Sequence, residues 1–136
     1  MRCASLLLLA LVVPTAAPAR TPAPADVELY FISPADGDAI QGPVTVRFGL
    51  RNMGVAPAGT DVAGTGHHHL LIDTGLPALD QPIPVDDRHR HFGKGQTETV
   101  LELAPGTHTL QLLLGDFAHV PFDPPIVSKK ITITIK

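Results

Sequence analysis

Hydrophobic and polar residues alternate with a period of two in several segments of this chain after its first 26 positions. In residues 44–50, for example, valine, phenylalanine and leucine occupy every second position, and polar or small residues lie between them. Such a period places successive side chains on opposite faces of a β-strand. The alternation predicts strands over residues 27–32, 44–50, 67–73, 97–103, 107–114 and 126–135.

The segments between these strands are rich in turn-forming residues and show no amphipathic helical period. Pro34 to Gly37 and Pro105-Gly106 are strong turn signals, and the intervals 52–66, 75–87 and 116–125 are rich in glycine, alanine or proline and predict loops. Several short strands separated by such turns predict an all-β protein with a single immunoglobulin-like antiparallel β-sandwich over residues 27–136.

The first 19 residues have the pattern of a bacterial secretory signal peptide. Arg2 supplies a positive charge, residues 6–13 form a short apolar run, and Ala17-Pro18-Ala19 fits a cleavage site. The run is shorter than the roughly 20 residues that span a membrane, so we expect no membrane span after cleavage. Residues 20–26 predict a Pro/Ala linker, and the mature protein is expected in the periplasm or outside the cell.

The amino-acid composition excludes several classes of function. The single cysteine, Cys3, lies in the predicted signal peptide, so the mature chain has no disulfide, thiolate ligand or cysteine nucleophile. Net charge is −3 and basic residues do not cluster, which argues against nucleic acid as a partner. No nucleophile elbow or phosphate-binding loop occurs. We therefore expect a protein that is not an enzyme and that has no organic cofactor. Another periplasmic protein is a candidate partner.

Seven histidines carry the candidate chemistry, and three of them are consecutive. On a strand, His67 and His69 point to one face and His68 to the other, which Leu70 shares. Two histidines two apart can chelate one metal ion. The alternative is structural: hydrogen bonds from these imidazoles to loop carbonyls. His68 is predicted to be a core residue whose polar atoms are hydrogen-bonded.

Three further residues complete the predicted ligand set. His119 lies in a loop directly after a strand, and Asp116, three residues earlier, can ligate, orient an imidazole or form a turn. His108, at a strand start, is the next candidate, although a hydrogen-bonded corner histidine is the more common role there. His91 is predicted to begin a hairpin turn. Met53, a soft ligand if it binds, is more simply a gap-filling residue.

Four stretches of the sequence resemble a bacterial family known as domain of unknown function 4399. They are residues 66–73, 91–99, 103–112 and 115–119, followed by Pro124-Pro125 and Ser128. The resemblance covers nearly all of the mature chain but implies no established activity. It implies that the histidines lie inside the family's motifs, with His89 as an exception, and that Phe122 replaces a histidine present in relatives.

The sequence thus predicts a secreted domain that binds a transition metal, copper or zinc, at one edge of the sandwich. The predicted ligands are His67, His69, His119, His108 and Asp116, and the absence of cysteine favours Cu(II) or Zn(II) over Cu(I). The alternative is a structural or protein-interaction module whose histidines form a hydrogen-bonded network.

Overall fold

A computed structural model describes residues 18–136, so nearly all of the predicted signal peptide, residues 1–19, lies outside the described part of the chain. Within that part the protein has nine strands and no helix. The strands are β1 (Glu28–Ser33), β2 (Ala39–Ile40), β3 (Val44–Arg51), β4 (Gly54–Val55), β5 (Thr65–Ile72), β6 (His89–His91), β7 (Glu98–Leu101), β8 (Gly106–Gly115) and β9 (Ile131–Ile135). No helix in residues 18–136 is long and apolar enough to cross a membrane.

The strands form two sheets. Strand β3 lies between β1 and β7 in a three-stranded sheet, and the other six strands form the second sheet in the order β2-β9-β8-β5-β4. Strand β6 also pairs with β5, antiparallel, at the end of β5 away from β4. The central strand β5 therefore has β8 along one side and the two short strands β4 and β6 along the other.

Apolar side chains from both sheets form one main core. Val46 and Phe48 of β3 contribute from the smaller sheet, and Leu70 of β5 and Leu112 of β8 contribute from the larger one. Each of these residues occupies an alternate position of its strand, as the period of two predicts. The all-β prediction is confirmed, and burial of this apolar surface is the main stabilising contribution available to a domain without disulfides.

The connections differ from the sequence-based expectation in two places. The loop predicted over residues 52–66 contains β4, which pairs with the start of β5. The turn after His91 does not close a hairpin, because β6 pairs with β5 whereas the next strand, β7, pairs with β3 of the other sheet. Hydrophobic alternation identifies a strand but carries no information about its partner, and this crossing between sheets determines where His91 lies.

His68 lies in the main core, as predicted, but the expectation that its polar atoms are hydrogen-bonded is wrong. Its side chain is fully buried beside Phe48, with ring centroids 5.1 Å apart. Neither Nδ1 nor Nε2 has a hydrogen-bond partner. A neutral imidazole always carries one N–H group, and a buried donor without an acceptor destabilises a protein by about 1–3 kcal/mol.

Replacing His68 with leucine is therefore expected to raise the free energy of unfolding by about 1–2 kcal/mol, because an apolar side chain of similar size removes the unpaired donor. Urea unfolding at neutral pH measures this change. Leu112→Ala, a matched core substitution, is expected to destabilise the same core by about 2–5 kcal/mol. A lower stability of His68→Leu would show that the imidazole has a partner, such as a bound water.

Candidate metal centre

His67 and His69 belong to the middle of the larger sheet and point away from the main core. They share their face of β5 with Leu71, which packs with Ile83 and Leu113 in a second, smaller apolar cluster. Loops cover this face, and both histidines are buried, with exposed fractions of 1% and 0%. The prediction that they share one face is confirmed, and neither side chain is open to solvent.

His91 reaches the same place from the neighbouring strand. In the antiparallel pairing of β5 and β6, His91 lies directly opposite His69, so both side chains leave the sheet on the same face. A glycine two residues later makes room for the ring: a Cβ atom at Gly93 would lie 2.3 Å from Cε1 of His91. Any larger residue at position 93 would displace this imidazole.

His119 is supplied by the loop that follows β8. Its backbone has a φ of 67°, in the left-handed region that few non-glycine residues adopt. Its N–H donates to the carbonyl of Asp116, and its carbonyl accepts from the N–H of Ile83, both at 2.9 Å. These backbone bonds hold the loop over the sheet, and they place a partly exposed imidazole against two buried ones.

The four imidazoles converge on one point. One ring nitrogen from each of His67, His69, His91 and His119 lies within 4.8 Å of the other three. Nε2 of His67 is 3.0 Å from Nε2 of His69 and 3.2 Å from Nδ1 of His119. The ring of His91 completes the group, with its centroid 5.0 Å from those of His67 and His69.

Hydrogen bonds among the four rings do not pair every ring nitrogen of the cluster. Nε2 of His67 has either one proton or one lone pair, yet it lies within hydrogen-bond distance of two other ring nitrogens. In addition, Nε2 of His91 and Nδ1 of His69 are buried without a partner. A metal ion accepts several lone pairs at once, so a cluster of ring nitrogens at these distances is suited to metal binding.

Burial favours the neutral form of three of these histidines. Burial, reinforced by the neighbouring histidines, lowers the pKa of His67 to about 4 and that of His69 to about 2. Burial and then His119 lower the pKa of His91 as well. A metal ion binds the neutral form of imidazole, so these three histidines present a free lone pair at neutral pH.

Comparison with known proteins decides the family. The family model of the domain of unknown function DUF4399 matches residues 46–136, which include all four clustered histidines. The chain belongs to the DUF4399 family. No curated protein matches it. Among solved structures, it is similar to the endo-β-1,4-mannanase from Thermotoga petrophila, at 18% identity and a TM-score of 0.47. The alignment covers 82% of this chain but about a fifth of the mannanase, 20% of its length.

Asp116 of this DUF4399 domain lies beside the histidine cluster but is not part of it. Its carboxylate accepts three hydrogen bonds: Oδ1 from the N–H groups of Ala118 and Val120, and Oδ2 from the hydroxyl of Thr21. Asp116 is 5% exposed. The structure therefore shows the turn-forming role, through which Asp116 shapes the loop on either side of His119.

The structure does not bring His108 to the cluster. Its Nδ1 lies 2.7 Å from Oδ2 of Asp73, and its Nε2 lies 2.7 Å from the carbonyl of Ala104. Because β8 runs antiparallel to β5, Gly115 pairs with His67, and the start of β8 lies beside the far end of β5. The corner hydrogen-bonding role is the one observed, and it removes His108 from the predicted ligand set.

The remaining candidates also lie outside the cluster. Nδ1 of His89 contacts Asp86 at 2.8 Å, in line with its position outside the family motifs. Met53 packs against the main core, as a gap-filling residue does. Phe122, at the position where a further histidine was expected in relatives, is 2% exposed and belongs to the same core.

His91 is the ligand candidate that sequence reasoning missed. The stretch from His91 to Gln96 predicts a turn, and its two glycines direct attention to the backbone rather than to the imidazole. A signal was present, since residues 91–99 form one of the motifs that carry the family resemblance. Within that motif, Gly93 leaves space for the ring of His91.

Proposed function

We propose that this DUF4399 protein binds one transition metal ion, Zn(II) or Cu(II), through His67, His69, His91 and His119. The observation that carries the proposal is the position of Nε2 of His67, within 3.2 Å of nitrogens from two other imidazoles. One ion at the centre of the group satisfies all of these lone pairs together, which no assignment of protons does.

The distances and the ligand type support these two ions. A tetrahedral ion with metal–nitrogen bonds of about 2.0–2.1 Å places its ligand nitrogens roughly 3.4 Å apart. The two shortest separations in the cluster, 3.0 and 3.2 Å, are already close to this value. The widest, up to 4.8 Å, needs a small inward movement of the partly exposed rings. Neutral imidazoles suit Zn(II), Cu(II) and Ni(II), and lack of thiolate disfavours Cu(I).

The proposed role is binding rather than catalysis. Four protein ligands complete a tetrahedral shell, whereas catalytic zinc sites have three protein ligands and keep one position open for water or substrate. We further propose that the two sheets form an immunoglobulin-like β-sandwich that acts in the periplasm or outside the cell. The cysteine-free sequence after residue 3 and the signal-like start support that location.

A purely structural histidine network is the second candidate, and the short contacts of His67 favour it in part. Two imidazoles at 3.0 Å can share one proton as a hydrogen bond. The network leaves His91 Nε2 and His69 Nδ1 unpaired. A structural network of the four rings removes neither deficit.

Metal uptake by untagged protein tests the proposal. Protein freed of metal with a chelator and dialysed against Zn(II) at pH 7.5 is expected to retain one ion per chain by elemental analysis. At a free ion concentration of about 100 times Kd, binding stabilises the native state by about 2.7 kcal/mol, so the melting temperature is expected to rise by roughly 10 °C. Mg(II), which prefers oxygen ligands, is the matched control and is expected to cause no shift.

Two results would count against the metal proposal. A melting temperature unchanged by Zn(II) and by Cu(II) at micromolar concentration contradicts it and leaves the structural network. Uptake of several ions per chain without a change in melting temperature indicates weak surface binding instead, because an ion at this buried cluster stabilises the native state.

A further inference from the structure

Residues 20–23, which belong to the predicted Pro/Ala linker over residues 20–26, bind along the loop that carries His119. The N–H of Asp123 donates to the carbonyl of Thr21, and the N–H of Ala23 donates to the carbonyl of Asp123, both at 2.9 Å. Pro22 and Asp123 form a parallel β-bridge. We call residues 20–23 the N-terminal strap.

The side chain of Arg20 anchors the start of the strap. Its Nε donates to the carbonyl of Pro121 at 3.1 Å, and its Nη2 donates to the carbonyl of Phe122. Its Nη1 is 3.4 Å from a carboxylate oxygen of Asp123, and the side chain is 19% exposed. The guanidinium thus binds three consecutive residues directly after the His119 turn.

The hydroxyl of Thr21 links the strap to the turn itself. It donates to Oδ2 of Asp116 at 2.7 Å, and Oδ1 of the same carboxylate holds the N–H groups of Ala118 and Val120, both at 2.9 Å. His119 is the residue between those two amides. Without the hydroxyl, one oxygen of a buried carboxylate lacks its donor, and the turn loses part of its support.

We propose that the N-terminal strap controls how firmly the metal site holds its ion, by fixing His119 through Thr21 and Asp116. The inference rests on the proposed metal binding. His67 and His69 are fixed by a central strand, whereas His119 comes from a loop and is partly exposed. A ligand held only by a loop leaves more readily than one on a central strand, so release of the strap from this loop releases the ion.

Thr21→Val tests this inference, because valine keeps the shape of the side chain and removes the hydroxyl. Release of Zn(II) to a chromogenic chelator is expected to be roughly tenfold faster than in the wild type, the change that loss of one ordinary hydrogen bond produces. With Cu(II), electron paramagnetic resonance is expected to show fewer coordinated nitrogens. Thr21→Ser is expected to restore both values, and Thr45→Val, an exposed threonine of β3, is the matched control.

A second measurement separates failure of the strap from failure of the metal site. Amide hydrogen exchange of Ala118 and Val120 in metal-free protein is expected to be faster in Thr21→Val, whether or not the wild type binds metal. A wild type without metal uptake overturns the proposed function and, with it, control of metal release. A wild type that binds while Thr21→Val releases at the same rate overturns the strap alone. If Thr21→Val does not fold, Arg20→Gln tests the strap at its other anchor.

Discussion

His67→Ala is expected to weaken Zn(II) binding at least about 100-fold. His67 contacts both His69 and His119, so its loss leaves three imidazoles without the nitrogen that links two of them. Mutation of a residue that only orients a metal ligand typically lowers metal affinity about 10- to 100-fold. Removal of a ligand itself is expected to lower the affinity further. Competition with a chelator of known affinity at pH 7.5 measures the effect.

His89→Ala is the matched control for this experiment. His89 lies on the same face of β6 as His91. Its Nδ1 nevertheless contacts Asp86, and His89 lies outside the cluster. Its replacement is expected to change Zn(II) affinity less than twofold. Because His67 is buried, melting of each metal-free variant shows whether the fold is intact. If folded His67→Ala binds Zn(II) with wild-type affinity, the metal site does not include this residue of β5.

The metal-free protein is expected to lose about 6 kcal/mol of stability between pH 7.5 and pH 5. Burial lowers the native pKa of His67 and His68 to about 4 and, with the neighbouring histidines, that of His69 to about 2. The unfolded chain protonates all three near pH 6.5, so it binds more protons than the native state below that pH. Stability therefore falls as pH falls, by about 2 kcal/mol for each histidine at pH 5.

The loss begins near pH 6.5 and continues until each group reaches its native pKa, at about 4 for His67 and His68 and about 2 for His69. It is comparable with the 5–15 kcal/mol that stabilises an ordinary domain, so metal-free protein is expected to unfold near pH 5. Circular dichroism during acid titration gives the midpoint.

His68→Leu, which removes one of the three buried histidines, is expected to shift the acid midpoint to lower pH. Zn(II) is expected to do the same, since it binds the native state with neutral imidazoles and adds to native stability. A metal-free protein that stays folded at pH 3 would show that the cluster takes up protons without unfolding.

Part of this site follows from the sequence alone. Strand alternation separates His67 and His69 from His68, and the position of His119 just after a strand marks it as a site residue; the structure brings these three imidazoles together. Strands β3 and β9 are visible because each buries alternate residues in one core. These inferences need only local periodicity, which one sequence contains.

The rest depends on which strands are neighbours. His91 joins the cluster because β6 pairs with β5 in a register that sets it opposite His69. His108 is excluded because the antiparallel register of β8 places it beside Asp73. Register is determined by contacts between distant residues, and a single sequence with uniform alternation fits several registers. The structural role of residues 20–23 is invisible for the same reason, since their partners lie some 100 residues later.

The spacing of the four clustered histidines has a further consequence. His67 and His119 are 52 positions apart, and His91 divides the interval. An ion bound by all of them would join three distant parts of the backbone at one atom, as a disulfide joins two. Closing such loops reduces the entropy of the unfolded chain and favours the native state. Cys3 is the only cysteine of the chain, so no intramolecular disulfide can form. A bound ion would provide a reversible crosslink in its place, present when metal is supplied and absent when it is withdrawn.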